Sequence, residues 1–270
     1  MIIEIKEEER ANQEGNMENI TSRANPLCVH FRKLASARSY REDHGEYLCD
    51  SPKLLRGAVP WGAEVTAVLY TRGADLPECP GARLAEVSES VMKSVSPMET
   101  PQGVVFSCRL QDRGLPETLD PKGRYVLLDG VQDPGNVGTI LRTADAFGWT
   151  PILLPGCADL CNPKTLRAAM GVHFRRAVWQ ASLEEVRTRM QTAGLPLYAA
   201  ALREDTEDIR TADLRHCGVV IGSEGRGITP EALALCRKTL KIPMDPRCES
   251  LNAAAAAAVI LWEGRRQSGE

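Results

Sequence analysis

Long apolar runs are missing from this sequence. No stretch approaches the roughly 18 to 20 consecutive apolar residues that a membrane-spanning helix needs. The first ten residues, Met1 to Arg10, alternate apolar and charged side chains and form no signal-peptide core. No membrane partner is expected, and a cytoplasmic protein is. Paired cysteines are missing too: the nine cysteines are odd in number and scattered, no CxxC occurs, and Cys157 with Cys161 has no second Cys or His pair at zinc-ligand spacing. The thiols read as reduced, and no metal is expected. Net positive charge is also absent. At −3 overall, the chain is not a non-specific polyanion binder, so any polyanion must be held by a local patch. Histidines number four, and Ser250 stands in ESLN rather than in a GxSxG elbow, which argues against a serine hydrolase.

What is present suffices for folded domains, with 270 residues of which 43% are hydrophobic. Residues 1–16 are Glu-rich and are expected to form a disordered extension. Residues 17–112 alternate short apolar runs (Val65 to Tyr70, Val104 to Cys108) with helix-like stretches, which predicts a small α/β domain. It contains the longest acid-free basic stretch: between Glu18 and Glu42 lie Arg23, Arg32, Lys33, Arg38 and Arg41 with His30. That stretch reads equally as a solvated helix face or as an RNA contact formed by Arg23, Lys33, Arg38 and Arg41. Residues 113–124 fall in a stretch rich in proline, glycine and charge and read as a linker. From 125 to 266, apolar runs at Tyr125–Asp129, Ile152–Leu154, Leu197–Ala201 and Val219–Gly222 alternate with helices, which implies a largely parallel sheet. Helix starts are signalled by Asn162-Pro163, by Ser182 with Glu185 and by Thr229-Pro230.

Three strings in this second region could carry chemistry. In LLDGVQDPGNVGTILRTADAFG (127–148) an apolar strand empties into a turn and a helix expected to open near Val137. The spacing fits neither a P-loop, which would need a lysine after Gly135, nor a GxGxxG fingerprint. Arg142, placed close to that helix start, is accounted for by an anionic partner or by pairing with Asp145. In VVIGSEGRGITP (219–230) a strand enters a loop whose glycines permit close backbone approach around Glu224. In IPMDPRCESLNAAAAAAVILWEG (242–264) a proline-kinked loop precedes six alanines, which read as simple helix propensity or as a surface for close helix packing.

Together these strings resemble the three signature motifs of the SpoU family of the SPOUT RNA methyltransferases. The first matches NxGxxxRxA through Asn136, Gly138, Arg142 and Ala144. The second matches GxEGxG through Gly222 to Gly227, and the third is IPM followed by ESLN. The resemblance implies an α/β fold with a C-terminal parallel-sheet domain closed by a trefoil knot. It also implies a homodimer and methyl transfer from S-adenosylmethionine, leaving S-adenosylhomocysteine, to a ribose 2'-hydroxyl in ribosomal or transfer RNA. The stretch 88–108 resembles the family's ribosomal-protein L30e-like RNA-binding domain. Cys49 and Asp50, however, stand where that domain usually has a glutamate-glycine pair. An N-terminal domain favours ribosomal RNA as the substrate. The ESLN string speaks against a base-methylating relative, and the intact motif set speaks against an inactive RNA-binding scaffold. By the same resemblance Arg142, Asn136, Glu224, Ser250 and Asn252 are the catalytic positions, while Gly222, Ile242, Met244 and Leu251 contact the cofactor.

Overall fold

The computed structural model describes residues 18–201 and 206–269. The expectation for residues 1–16 lies outside them. The chain divides into two compact units: residues up to Leu110 with Cys161–Pro163, and Gln111–Leu160 with Lys164 onward. Among the described residues no helix is long and apolar enough to cross a membrane.

The first unit is a mixed α/β layer. Its elements are β1 (Glu18–Ile20), α1 (Pro26–Ser36), α2 (Arg38–His44), β2 (Glu46–Asp50), α3 (Pro52–Ala58), β3 (Val65–Tyr70), β4 (Arg83–Val87), α4 (Glu89–Val95) and β5 (Val104–Arg109). The sheet order is β1-β4-β3-β5-β2, with β1, β4 and β3 parallel and β5 antiparallel to both its neighbours. Helix α1 starts where Asn25 accepts the Leu27 amide at 2.9 Å and Pro26 fills the first turn. Its Leu27, Phe31 and Leu34, at helical spacing, are buried against Leu48, Leu69 and Val91.

The second unit holds the three motifs. It runs β6 (Arg124–Asp129), α5 (Pro134–Phe147), β7 (Thr150–Leu153), α6 (Pro163–Ala169), α7 (Val172–Arg175), β8 (Trp179–Gln180), α8 (Leu183–Thr192), β9 (Leu197–Ala200), β10 (Glu207–Asp208), β11 (Cys217–Gly222), α9 (Pro230–Leu235), β12 (Lys238–Lys241) and α10 (Ala253–Gln267). All seven strands are parallel, in the order β10-β12-β9-β11-β6-β7-β8. The side chains of β6 alternate: Val126 and Leu128 enter a core shared with α5 and α10, Tyr125 and Leu127 a core shared with α8 and α9. Both faces are therefore covered, as a parallel sheet requires.

The predicted helix starts are observed. Ser182 and Glu185 form a reciprocal capping box, α6 opens at Pro163, and Thr229 caps α9 through the Ala232 amide. One start differs. The motif-one helix begins at Pro134 rather than near Val137, because Asp133 accepts the Asn136 amide at 2.8 Å and caps it. The DPG string that resembles a turn is in fact a cap followed by a first-turn proline. Arg142 is consequently the ninth residue of α5, beyond the one turn over which the helix dipole acts, so the dipole cost expected for it is absent.

The alanine row of α10 lets it pack along α5, with Ala253, Ala254 and Ala257 buried. A methyl group at Gly264 would lie 2.4 Å from the Trp149 ring, so that glycine sets the approach of the helix to the core tryptophan.

Candidate active site

Strand register brings the motifs together. β11 pairs with β6 along its full length, placing Gly222 opposite Asp129, so motifs one and two leave the sheet side by side at its carboxyl end. β9 and then β12 follow on the same side of β11, and motif three leaves β12 at that same end. Ligands of open parallel sheets bind at this edge.

Buried Asp129, the last residue of β6, accepts both the Thr229 amide at 2.7 Å and the Thr229 hydroxyl at 2.8 Å. It thereby ties the first strand of the unit to the start of α9. Between β11 and α9 the GSEGRG loop closes on itself, with the Ser223 amide donating to Gly227 O at 3.0 Å and the Gly227 amide to Ser223 O at 2.8 Å. At Gly222 a β-carbon would lie 2.3 to 2.5 Å from the backbone of Gly227 and Ile228, so only glycine allows this closure. Gly138 plays a comparable part in motif one. A methyl there would lie 2.5 Å from both the Thr165 carbonyl and the Ala168 methyl, and α5 could not approach α6.

Asn252 joins all three motifs. Its Oδ1 caps α10, accepting the Ala254 amide at 2.9 Å and the Ala255 amide at 3.2 Å. Its Nδ2 donates to Glu224 Oε1 at 2.8 Å and to Asn136 Oδ1 at 3.2 Å. Asn136 Nδ2 donates to the same Glu224 oxygen. One side chain from each motif thus meets in a single hydrogen-bonded triad, with the carboxylate held by two amides. The Asp133 cap beside it is held below its ordinary carboxylate range, first by the Asn136 amide and then by Lys164.

Two adjoining cavities flank the triad and share Ala200, Ser250, Leu251 and Ala256. The smaller, about 150 Å³, is walled by Leu240, Ile242, Met244 and Ile260. The larger, about 410 Å³, is lined by Gly222, Glu224, Ser250 and Asn252 and is of the size of cofactor and substrate sites. All four cofactor candidates, Gly222, Ile242, Met244 and Leu251, therefore border one or both cavities, and Ser250 borders both.

Arg142 stands apart. It is exposed, forms no hydrogen bond or ion pair among the described residues, and lines neither cavity. Pairing with Asp145 is not its role: Asp145 is held by Arg175 Nη2 at 2.7 Å and Arg176 Nε at 2.8 Å. Asp129, Ala200 and Ala256 were missed in the sequence. Asp129 has a signal, a lone carboxylate closing an apolar strand, whereas the two alanines have none.

Among the basic candidates of the first unit, Arg41 requires correction. It is 4% exposed and donates to the Leu34 carbonyl at 2.6 Å, so its guanidinium ties α2 to α1 and cannot face RNA. Arg38 is exposed and paired with Glu42 at 2.7 Å. Lys33 lies 5.2 Å over the Tyr40 ring, and Arg23 is exposed.

The model of the SpoU rRNA Methylase family matches residues 123–262, the region that supplies every member of the triad and both cavities. The chain belongs to the SpoU family. A model of the MRM3-like substrate binding domain matches residues 16–105. The 23S rRNA (guanosine(2553)-2'-O)-methyltransferase RlmP of Bacillus subtilis is 30% identical over 252 residues, covering 92% of this SpoU chain and 100% of that protein. Human mitochondrial rRNA methyltransferase 3 is 31% identical, covering 87% of this chain and 70% of that one. Among solved structures, the AdoMet-bound rRNA methyltransferase from Sinorhizobium meliloti superposes with a TM-score of 0.84 at 29% identity, covering 93% and 98% of the two chains.

Proposed function

We propose that this chain transfers a methyl group from S-adenosylmethionine to a ribose 2'-hydroxyl of RNA, with ribosomal RNA the first substrate to test. The observation that carries the reading is the triad of Asn136, Glu224 and Asn252, which joins the three SpoU motifs beside two adjoining cavities. The residues present fit the cofactor. Ile242, Met244 and Leu251 would enclose its apolar portions, and Gly222 leaves backbone where a side chain would block approach. When bound, the cofactor supplies an electrophilic methyl group on a sulfonium. Glu224, pinned by two amides, and Ser250 orient the nucleotide. Arg142 stabilises the negative charge that develops on the 2'-oxygen as its proton leaves, itself remaining protonated. No metal enters this scheme.

The same reading extends to a homodimer in which Arg142 of the partner subunit completes each site. Arg142 contacts neither the triad nor the cavities of its own chain, and α10 exposes Trp262 at 53% and Val259 at 39%, with Phe147 of α5 tilted against Trp262. The trefoil knot belongs to the reading as well. Residues 242–252 leave β12, two strands beyond β11, yet return to deliver Asn252 to motifs one and two. Residues 17–112 act as the L30e-like RNA-binding domain, joined through 113–124 to the methyltransferase domain at 125–266, in a cytoplasmic enzyme.

Mapping 2'-O-methyl sites across total RNA of a deletion strain should reveal the loss of a ribosomal ribose methylation. Single-turnover transfer to that RNA with labelled cofactor then tests the mechanism. Arg142→Ala should lower the rate about 10²-fold or more, roughly 3 kcal/mol of transition-state stabilisation, with cofactor affinity intact. Arg142→Lys should rescue little, lacking the planar fork. A near wild-type rate in the alanine variant overturns the mechanism.

A further inference from the structure

The first unit carries an aromatic rim that the methyltransferase chemistry does not use. At one end of its sheet, Tyr40 and His44 of α2 stack with ring centroids 3.8 Å apart and planes 25° from parallel. His30 buttresses them from 5.6 and 5.4 Å, itself hydrogen-bonded through Nδ1 to Tyr40 Oη and through Nε2 to Glu46, each at 3.0 Å. His44 Nδ1 is bonded to the Tyr40 carbonyl at 2.9 Å, which fixes the ring while leaving it exposed.

Across the same end of the sheet stands Trp61, 58% exposed, in the turn between α3 and β3. That turn is held by the Gly62 amide on Val59 O and the Ala63 amide on Ala58 O, at 3.0 and 3.1 Å. The end of β5 lies between the two aromatic positions, the Arg109 amide donating to Glu64 O and the Leu110 amide to Gly45 O. Two strand spacings, about 10 Å, therefore separate the chain at Gly45 from that at Glu64. Arg109 is shared between two acids here, reaching Glu46 at 3.1 Å and Glu64 at 3.5 Å. Glu42 is taken by Arg38, and Lys33 supplies a cation over Tyr40.

Among the described residues of this unit Trp61 is the only exposed large apolar side chain. The rim therefore offers separate flat π faces and the Lys33 ammonium, and no continuous aliphatic surface of the kind a protein partner buries. That combination suits single-stranded RNA, whose unstacked bases lie on aromatic rings while its phosphates meet lysine and arginine. We propose that Trp61 and the Tyr40–His44 stack form a platform on which unpaired bases of the RNA substrate stack, with Lys33 as its phosphate contact. The inference rests on the RNA methyltransferase reading above and adds how, and with which structural form of RNA, the N-terminal unit engages.

The test uses the full-length chain and an oligouridylate of about 12 nucleotides, within the site sizes of single-strand binding folds. Affinity is measured across a salt series. Trp61→Ala and His44→Ala should each weaken binding about 5- to 150-fold, the range for loss of one base-stacking partner, without changing the salt slope. Trp61→Phe should retain most of the affinity. Lys33→Ala should instead flatten the slope by roughly 0.7. Both rings are exposed, so melting temperature and adenosylmethionine affinity should be unchanged. Wild-type affinity in both alanine variants overturns the proposal and leaves Trp61 as a protein-facing residue; failure of the wild-type chain to bind the oligouridylate overturns it as well. The catalytic reading fails by a different result, absence of 2'-O-methyl transfer.

Discussion

Gly222 and Gly225 belong to the same GxEGxG string, yet the structure assigns them opposite tolerances. An alanine methyl at Gly222 would meet Gly227 C at 2.3 Å, Gly227 O at 2.5 Å and Ile228 N at 2.5 Å, all backbone atoms that no rotamer change can move aside. At Gly225 nothing lies within 4 Å of the added methyl, and its φ is not in the left-handed region. Overpacking against fixed atoms costs about 1–3 kcal/mol or more. Opening the loop instead forfeits the two Ser223–Gly227 backbone bonds, about 0.5–1.5 kcal/mol each. The loop lies at the surface and can open, so Gly222→Ala should take that route. The cost is then about 1–3 kcal/mol, a fall of roughly 3–10 °C in Tm for a chain of this size. With the cofactor in the cavity that Gly222 lines, as proposed, binding needs the closed loop, and every 1.4 kcal/mol by which the opened form is favoured weakens affinity about tenfold. Isothermal titration with adenosylmethionine should therefore show a loss of about tenfold or more in Gly222→Ala. Gly225→Ala should bind as wild type and melt at the same temperature or slightly higher, since alanine restricts the unfolded chain. Wild-type affinity in Gly222→Ala, or an equal loss in both variants, would refute the steric argument.

Asn252→Ala removes the α10 cap and should cost about 1 kcal/mol by thermal unfolding. Asn252→Asp keeps a capping oxygen but sets a second carboxylate against Glu224 in place of an amide donor, so methyl transfer should fall; an Asn252→Ala variant that melts with the wild type would sink the cap assignment. His173 is pushed down to about 3, chiefly by burial and secondarily by Arg113 and Arg175. Below about pH 6.5 the unfolded chain takes up a proton that the folded one refuses, so stability contributed here is lost as pH falls from about 6.5 toward 3. His173→Phe should remove a slope of up to about 1.4 kcal/mol per pH unit between pH 6 and 4 in denaturant titrations, and an unchanged slope would contradict the burial argument.

Strands and caps were legible wherever one local rule acted alone. The apolar runs Val65–Tyr70 and Tyr125–Asp129 coincide with β3 and all but the first residue of β6, and the Ser182–Glu185 box needed no tertiary context. Two rules collided at DPG, where turn-forming residues also make a good helix start, and the boundary was misplaced by three residues. Strand β12 was not among the apolar runs recognised as strands because KTLK is short and charged at both ends, its Thr239 and Leu240 being buried only by neighbours distant in sequence. Arg41 was misjudged for a similar reason. Charge spacing cannot distinguish a guanidinium in solvent from one folded back onto the Leu34 carbonyl. The three motifs were visible as strings, whereas the triad that joins them depends on the register of β6 with β11 and on a segment returning from β12.

The double duty of Asn252 makes assembly of the site conditional. Its amide can aim Nδ2 at Glu224 and Asn136 only while Oδ1 is engaged by the first turn of α10. A chain interrupted before residue 252 would contain the first two motifs in full, with Asn136 still able to reach Glu224, and would lack the amide that fastens both to α10. During synthesis, then, the third motif can join the other two only once α10, the last helix, has been made and Asn252 caps it.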